Sequence, residues 1–318
     1  MKEPRYTTGA FSFLRYSARM TQTSKAGPWL VALGAALWGT ESFWRVRLSQ
    51  TFASETIVFW EHVILVVAFA PLVLLRWAEL RRVSGRTLGY LVFSGVAGSA
   101  VGTIFFTEAL RYGNKSVVNV TLNIQPLLST AAAVILFRDR LSRGFYLWAP
   151  LAILAGAGLV LEDPSTLAID AGVGYALVCA LFWGLSTVAG RGVMVGMSLE
   201  LAAGLRVVVG LVTMAAILLA RGMLVGPVLV PAGAAMGDVW DFLGLAILSG
   251  GIPLLFYFAG LARTRASTAG YFEMMQTLAA LLVTWGVQGD ALRPHQIVAG
   301  ALLILFVAMV QRAQESAR

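Results

Sequence analysis

Charge is scarce in this chain: Asp, Glu, Lys and Arg make up 13% of its 318 residues, against about 25% in soluble proteins. With 58% hydrophobic residues and a mean hydropathy of +0.78, that shortage excludes an ordinary soluble domain. Cysteine is nearly absent. Cys179 is alone, so no internal disulfide can form, and it is read as a packing residue. His62 and His295 are the 2 histidines, and their separation gives no zinc-site spacing. Lysine occurs 3 times, at Lys2, Lys25 and Lys115, and none sits centrally in an apolar run, which argues against a retinal-type Schiff base. No Walker loop, dinucleotide fingerprint or nucleophile elbow is present. The sequence therefore calls for no cofactor and no metal, and its reading is not that of an enzyme.

What the chain has in abundance is apolar runs near 20 residues long, the length that crosses ~30 Å of hydrocarbon. Ten are read, at 29–49, 55–76, 87–110, 116–137, 144–161, 172–193, 199–220, 239–262, 266–286 and 295–311. The expected fold is an all-α membrane protein. The first 26 residues carry Lys2, Arg5, Arg15, Arg19 and Lys25 without the apolar core of a signal peptide, and they read as a basic tail. Met20 is a second plausible start of translation.

The formal net charge of +8 raises the question of nucleic acid, and its distribution answers it. With the N-terminus placed in the cytoplasm, 17 Lys and Arg fall on that side and 6 on the other, with Arg206 inside a helix to complete the 24. Positive charge retained in the cytoplasm orients bacterial-type membrane proteins. The expectation is a multi-pass protein of a prokaryotic cytoplasmic membrane, both termini inside, with a lipid bilayer and not nucleic acid as its surroundings. A monomer or weak dimer is expected.

The two halves resemble each other. Trp38-Gly39 recurs as Trp183-Gly184, and Glu55 recurs as Glu200, at a separation of 145 residues. Further on the separation is 151, pairing Ser116 with Ser267, Gln125 with Gln276, and Asp139 with Asp290. Each half holds five runs, an odd number, so the copies must lie upside down relative to one another. Inverted repeats of this kind mark secondary transporters, with the substrate site between the halves near mid-membrane. The ten runs as five plus five, a WG pair opening each half, and NIQPLLSTAAAVILFRDRLSR followed by a glycine-rich run resemble EamA-type members of the drug/metabolite transporter superfamily. The resemblance implies a basket of ten helices that opens alternately to each side. Its expected parts are a tail at 1–26, repeats at 27–163 and 164–311, and a tail at 312–318.

Small residues at Gly95, Gly98, Ser99, Gly102, Ala152 and Gly156 are spaced for close helix packing. Gly250-Gly251 and Pro253 are expected to interrupt the eighth run.

Charges inside apolar runs are the sharpest functional signal, because each costs ~2.5–3.5 kcal/mol near a helix centre. Trp38, Glu41 and Arg45 stand at i, i+3 and i+7 on one helix face. Glu41 is expected to bind substrate and proton in alternation. The competing reading is a Glu41–Arg45 ion pair at i, i+4 that neutralises both groups and nothing more. Glu61 and His62 are adjacent and point about 100° apart, so Glu61 is assigned to the cavity, as a substrate and proton-coupling residue with Glu41, and His62 to helix packing, with a proton-relay role for His62 as the alternative. Asn119, Asn123, Trp183, Tyr271, Glu273 and Gln276 complete the candidate substrate site. Arg206 stands at the repeat position of Glu61 and is expected to pair with Glu61 or Glu273.

These residues suit a small amphipathic metabolite, an amino acid or an amine, moved by a secondary transporter either coupled to protons or running down the solute gradient. Export is the expected direction. A multidrug exporter of lipophilic cations is the alternative, and a membrane enzyme or a channel fits less well.

The charge asymmetry sets a first test. A cysteine introduced as Thr166→Cys in a Cys179→Ser background is expected to react with membrane-impermeant reagents added outside intact cells. Protection from outside with labelling from within would overturn the inverted arrangement.

Overall fold

The computed structural model describes residues 24–160, 171–288 and 293–316. The expected N-terminal tail, the Glu162-Asp163 loop and Asp290 lie largely or wholly outside them. Every regular element among the described residues is helical. Among the described residues, seven helices are long and apolar enough to cross a membrane: Ser54–Arg82, Gly85–Tyr112, Val117–Phe137, Ala171–Gly196, Leu199–Ala220, Met236–Leu261 and Pro294–Glu315. The remaining apolar segments are shorter or broken, at Ala26–Trp38 with Glu41–Leu48, at Phe145–Val160, and at Ala266–Glu273 with Met275–Gln288. Lipid offers the backbone no hydrogen bonds, which is why apolar chain of this kind closes its own N–H and C=O groups in helices.

The first break falls at the sequence repeat itself. Between Trp38 and Glu41 the chain turns through Gly39 and Thr40, where the Thr40 hydroxyl donates to the Leu37 carbonyl at 2.7 Å. Its counterpart Trp183-Gly184 lies within the unbroken helix Ala171–Gly196.

Gly250, Gly251 and Pro253 do not interrupt their helix. The chain widens into π-helical turns over Gly244–Gly251 and continues as Ile252–Leu261. Pro253 lacks an N–H, and a wider turn absorbs the lost bond without a break. Equivalent π turns occupy Gly95–Val101. The carbonyl of Gly98 accepts from Trp183 Nε1 at 3.1 Å and from the Thr103 hydroxyl at 3.1 Å.

The halves are interleaved. Ala26–Trp38 packs along Ile252–Leu261 and its repeat partner Ala171–Gly196 along Gly102–Tyr112, while Ser54–Arg76 packs on Leu199–Ala220 and Phe145–Val160 on Pro294–Glu315. Ring pairs follow the same relation: Trp38 meets Tyr257 with centroids 4.7 Å apart, and Trp183 meets Phe106 at 5.0 Å. Polar ties also join the halves at one end, where Arg47 Nε lies 3.0 Å from Asp241 Oδ2, Arg221 pairs with Glu55, and Trp60 Nε1 donates to the Leu229 carbonyl at 2.9 Å.

Close approach depends on missing side chains, since attraction between helices in lipid rests on packing. A Cβ on Gly39 would lie 2.5 Å from the Gln276 carbonyl oxygen, and one on Gly184 would lie 3.1 Å from that of Gln125. Gly39→Ala is therefore expected to destabilise the protein by about 1–3 kcal/mol through overpacking, read as a lower melting temperature in detergent. Gly174→Ala, where a Cβ meets nothing within 4 Å, should leave it unchanged. Equal melting of both variants would contradict the packing.

Candidate functional site

A cavity of about 90 Å³ lies between the halves. One wall is acidic and basic together. Arg45 is 1% exposed, and its guanidinium serves two carboxylates: Nε donates to Glu41 Oε2 at 3.0 Å and Nη2 to Glu61 Oε2 at 2.7 Å. Glu41 opens the helix Glu41–Leu48 and Arg45 follows one turn later. The i, i+4 spacing makes that contact local, whereas Glu61 arrives from the helix Ser54–Arg76. A paired guanidinium tolerates burial that a lone charge does not.

Glu61 and His62 both border the cavity, although adjacent side chains on a helix point about 100° apart. Glu61 turns to Arg45, while His62 Nδ1 lies 2.8 Å from the Val58 carbonyl. A carbonyl only accepts, so Nδ1 carries the proton, and in the neutral ring Nε2 is the acceptor. That edge of the ring rests against Gly210, whose missing side chain makes room for it.

The opposite wall comes from the second half. Glu273 accepts from the Tyr257 hydroxyl at 2.9 Å, from the Thr187 hydroxyl at 2.9 and 3.1 Å on its two oxygens, and from Gln125 Nε2. Arg206 does not pair with Glu61 or Glu273. Glu61 is held by Arg45, Glu273 is held by hydroxyl and amide donors, and Arg206 Nε donates to Ser99 Oγ at 2.9 Å. Its guanidinium lies 5.5 Å from the Phe258 ring centroid.

The structure thus brings Trp38, Glu41, Arg45, Glu61, His62, Trp183, Glu273 and Gln276 to one cavity. Asn119 and Asn123 border a smaller void of about 20 Å³, which shares Gln125, Trp183, Glu273 and Gln276 with the main one. Tyr271 borders neither. It is fully buried, edge-on to Phe145 with centroids 5.4 Å apart, because the turn at Met274 separates its helix from the one carrying Gln276. Sequence reasoning left out Tyr257 and Thr187. Tyr257 sits in the run LLFYFAGL, which reads as lipid-facing; the available signal was its repeat relation to Phe106, 151 residues earlier.

Ionised throughout, the cavity residues Glu41, Glu61 and Glu273 against Arg45 and Arg206 leave one negative charge in excess. The arrangement can take up a proton or a cationic group without adding net charge to an apolar surrounding. Its volume is below the ~300–1,000 Å³ of sites for drug-sized ligands, so a metabolite would require it to widen.

Removing Arg45 leaves two buried carboxylates unpaired. Arg45→Met is expected to cost about 3–5 kcal/mol and to lower the melting temperature more than Glu41→Gln does. The triple variant with Glu41→Gln and Glu61→Gln should recover most of that loss. Wild-type stability of Arg45→Met alone would refute the shared-cation geometry.

Comparison with known proteins places this architecture. The riboflavin transporter ImpX of Fusobacterium nucleatum subsp. nucleatum is 24% identical over 303 residues, covering 90% of this chain and 97% of that protein. A solved crystal structure superimposes with a TM-score of 0.71 at 17% identity, over 93% of this chain and 100% of the other, and shares the fold. The model of the EamA-like transporter family matches residues 25–161 and again 170–312. Two matches, one to each half of a helical membrane protein, assign the chain: it belongs to the EamA-like transporter family.

Proposed function

We propose that the protein is a secondary transporter that exports small amphipathic metabolites, amines and amino acids foremost, across the cytoplasmic membrane by alternating access. In this reading the chain crosses the bilayer ten times as two inverted five-helix halves, with both termini in the cytoplasm. The observation that carries it is the Glu41–Arg45–Glu61 cluster, buried yet bordering a cavity walled by both halves. An ion pair that served structure alone would need no space beside it.

The cluster has two carboxylates for one guanidinium, so its full ionisation leaves an acceptor for either a proton or a substrate ammonium. Occupation by one displaces the other, which couples solute movement to a proton moving in the opposite direction. The Trp38–Tyr257 ring pair offers an aromatic wall to an apolar solute body or a cation. That wall also supports a second reading, a planar heterocycle such as the riboflavin for which the relative is named.

The test is transport in reconstituted vesicles. Glu41→Gln is expected to fold, to retain binding of neutral ligands, and to lose pH-dependent transport of amines. Restored pH-driven transport in Glu41→Gln with Arg45→Met would assign the pair to structure alone. Saturation of flux with substrate separates a carrier from a channel, and uptake of riboflavin beside amines separates the two solute classes.

A further inference from the structure

Arg206 is the cavity cation that the ion-pair geometry leaves over. It lies within the helix Leu199–Ala220, 8% exposed, and has no carboxylate within 4.0 Å among the described residues, whereas Arg45 has two. Such a cation costs ~2.5–3.5 kcal/mol in the middle of a membrane helix, and its direct partners among the described residues are the Ser99 hydroxyl and the face of Phe258, with Glu273 acting on it through space. Glu273 shares the cavity, yet its oxygens are engaged by Thr187, Tyr257 and Gln125.

The backbone keeps the guanidinium's place clear. A Cβ on Gly98 would lie 2.1 Å from Ser186 Oγ and 2.6 Å from Arg206 Nη2. Arg206 is also the repeat counterpart of Glu61, 145 residues later, so positions related by the internal two-fold carry opposite charges across one cavity. Glu61 is paired with Arg45, whereas no carboxylate among the described residues forms an ion pair with Arg206.

We propose that Arg206 is the anchor for a carboxylate on the transported solute, and that the solute is a zwitterion with its ammonium toward Glu41 and Glu61. Resting on the transporter reading above, this narrows its amines and amino acids to those that keep a free carboxylate. The planar fork of the guanidinium matches a carboxylate with two parallel hydrogen bonds. A solute lacking the anion leaves the buried cation unpaired and binds worse for that reason.

The test uses full-length protein in detergent and matched probes: phenylalanine and leucine, their amides, and phenethylamine. The zwitterions are expected to raise the melting temperature of the wild type, with amides and amine binding at least tenfold more weakly. Arg206→Met should melt no lower than the wild type, since it removes an unpaired buried cation, and should bind acid and amide alike. Arg206→Lys, which keeps the charge and loses the fork, should retain part of the preference, and Gly98→Ala, which crowds Nη2, should reduce it. Equal binding of acids and amides by the wild type, failure of either zwitterion to bind, unchanged preference in Arg206→Met, or unfolding of that variant would each overturn the assignment. The two readings fail separately: carboxylate binding through Arg206 without saturable flux sinks the transporter reading alone, and saturable, Glu41-dependent amine flux indifferent to Arg206 sinks the anchor alone.

Discussion

An arginine side chain 1% exposed inside an apolar bundle is tolerable only with its charge met on the spot, and Arg45 meets two carboxylates. That constraint reaches well beyond the three residues. It ties the short helix Glu41–Leu48 to Ser54–Arg76 and so sets the direction the chain takes after the turn at Gly39 and Thr40. It also holds Glu61 away from Arg206. The guanidinium of the second half is left to Ser99 and Phe258, and the cavity keeps separated charges rather than a closed set of pairs.

Around this cluster the packing is close to two-fold. Trp38 on Tyr257 matches Trp183 on Phe106; Gly39 against the Gln276 carbonyl matches Gly184 against that of Gln125; π turns recur at Gly95–Val101 and Gly244–Gly251. The symmetric positions make the frame. The chemistry sits where symmetry fails: Glu41 corresponds to Ser186, Arg45 to Gly190, Glu61 to Arg206 and Leu122 to Glu273. A duplicated scaffold can hold its shape on matched packing while the unmatched residues supply the cavity with charges of both signs.

The π turns connect frame and cavity. Widening the backbone at Gly98 frees a carbonyl that Trp183 takes, and at the matching position Ser249 accepts from Trp44 Nε1 at 3.1 Å and bonds with the Thr40 hydroxyl. These bonds cross the boundary between halves, the first of them between two residues of the cavity wall, Gly98 and Trp183. Single-turn π segments of this kind are rare inside α-helices and frequent at functional sites.

Much of this was legible in the residues alone. The apolar runs determined a helical membrane protein because lipid leaves the backbone no other partner. The WG pairs and the two constant separations exposed the internal repeat, and Glu41 with Arg45 announced their contact through spacing one helical turn apart. Contacts of that kind depend on local geometry, which sequence carries. Tertiary structure decided the rest: that Glu61 joins Arg45 instead of Arg206, that His62 borders the cavity beside Glu61, that Tyr257 and Thr187 hold Glu273, that Tyr271 is sealed behind Phe145, and that Gly250 and Gly251 widen a helix without breaking it. Each of these turns on which helix lies opposite which and how closely, and side chains more than a hundred residues apart compete for the same charge only once the helices have packed.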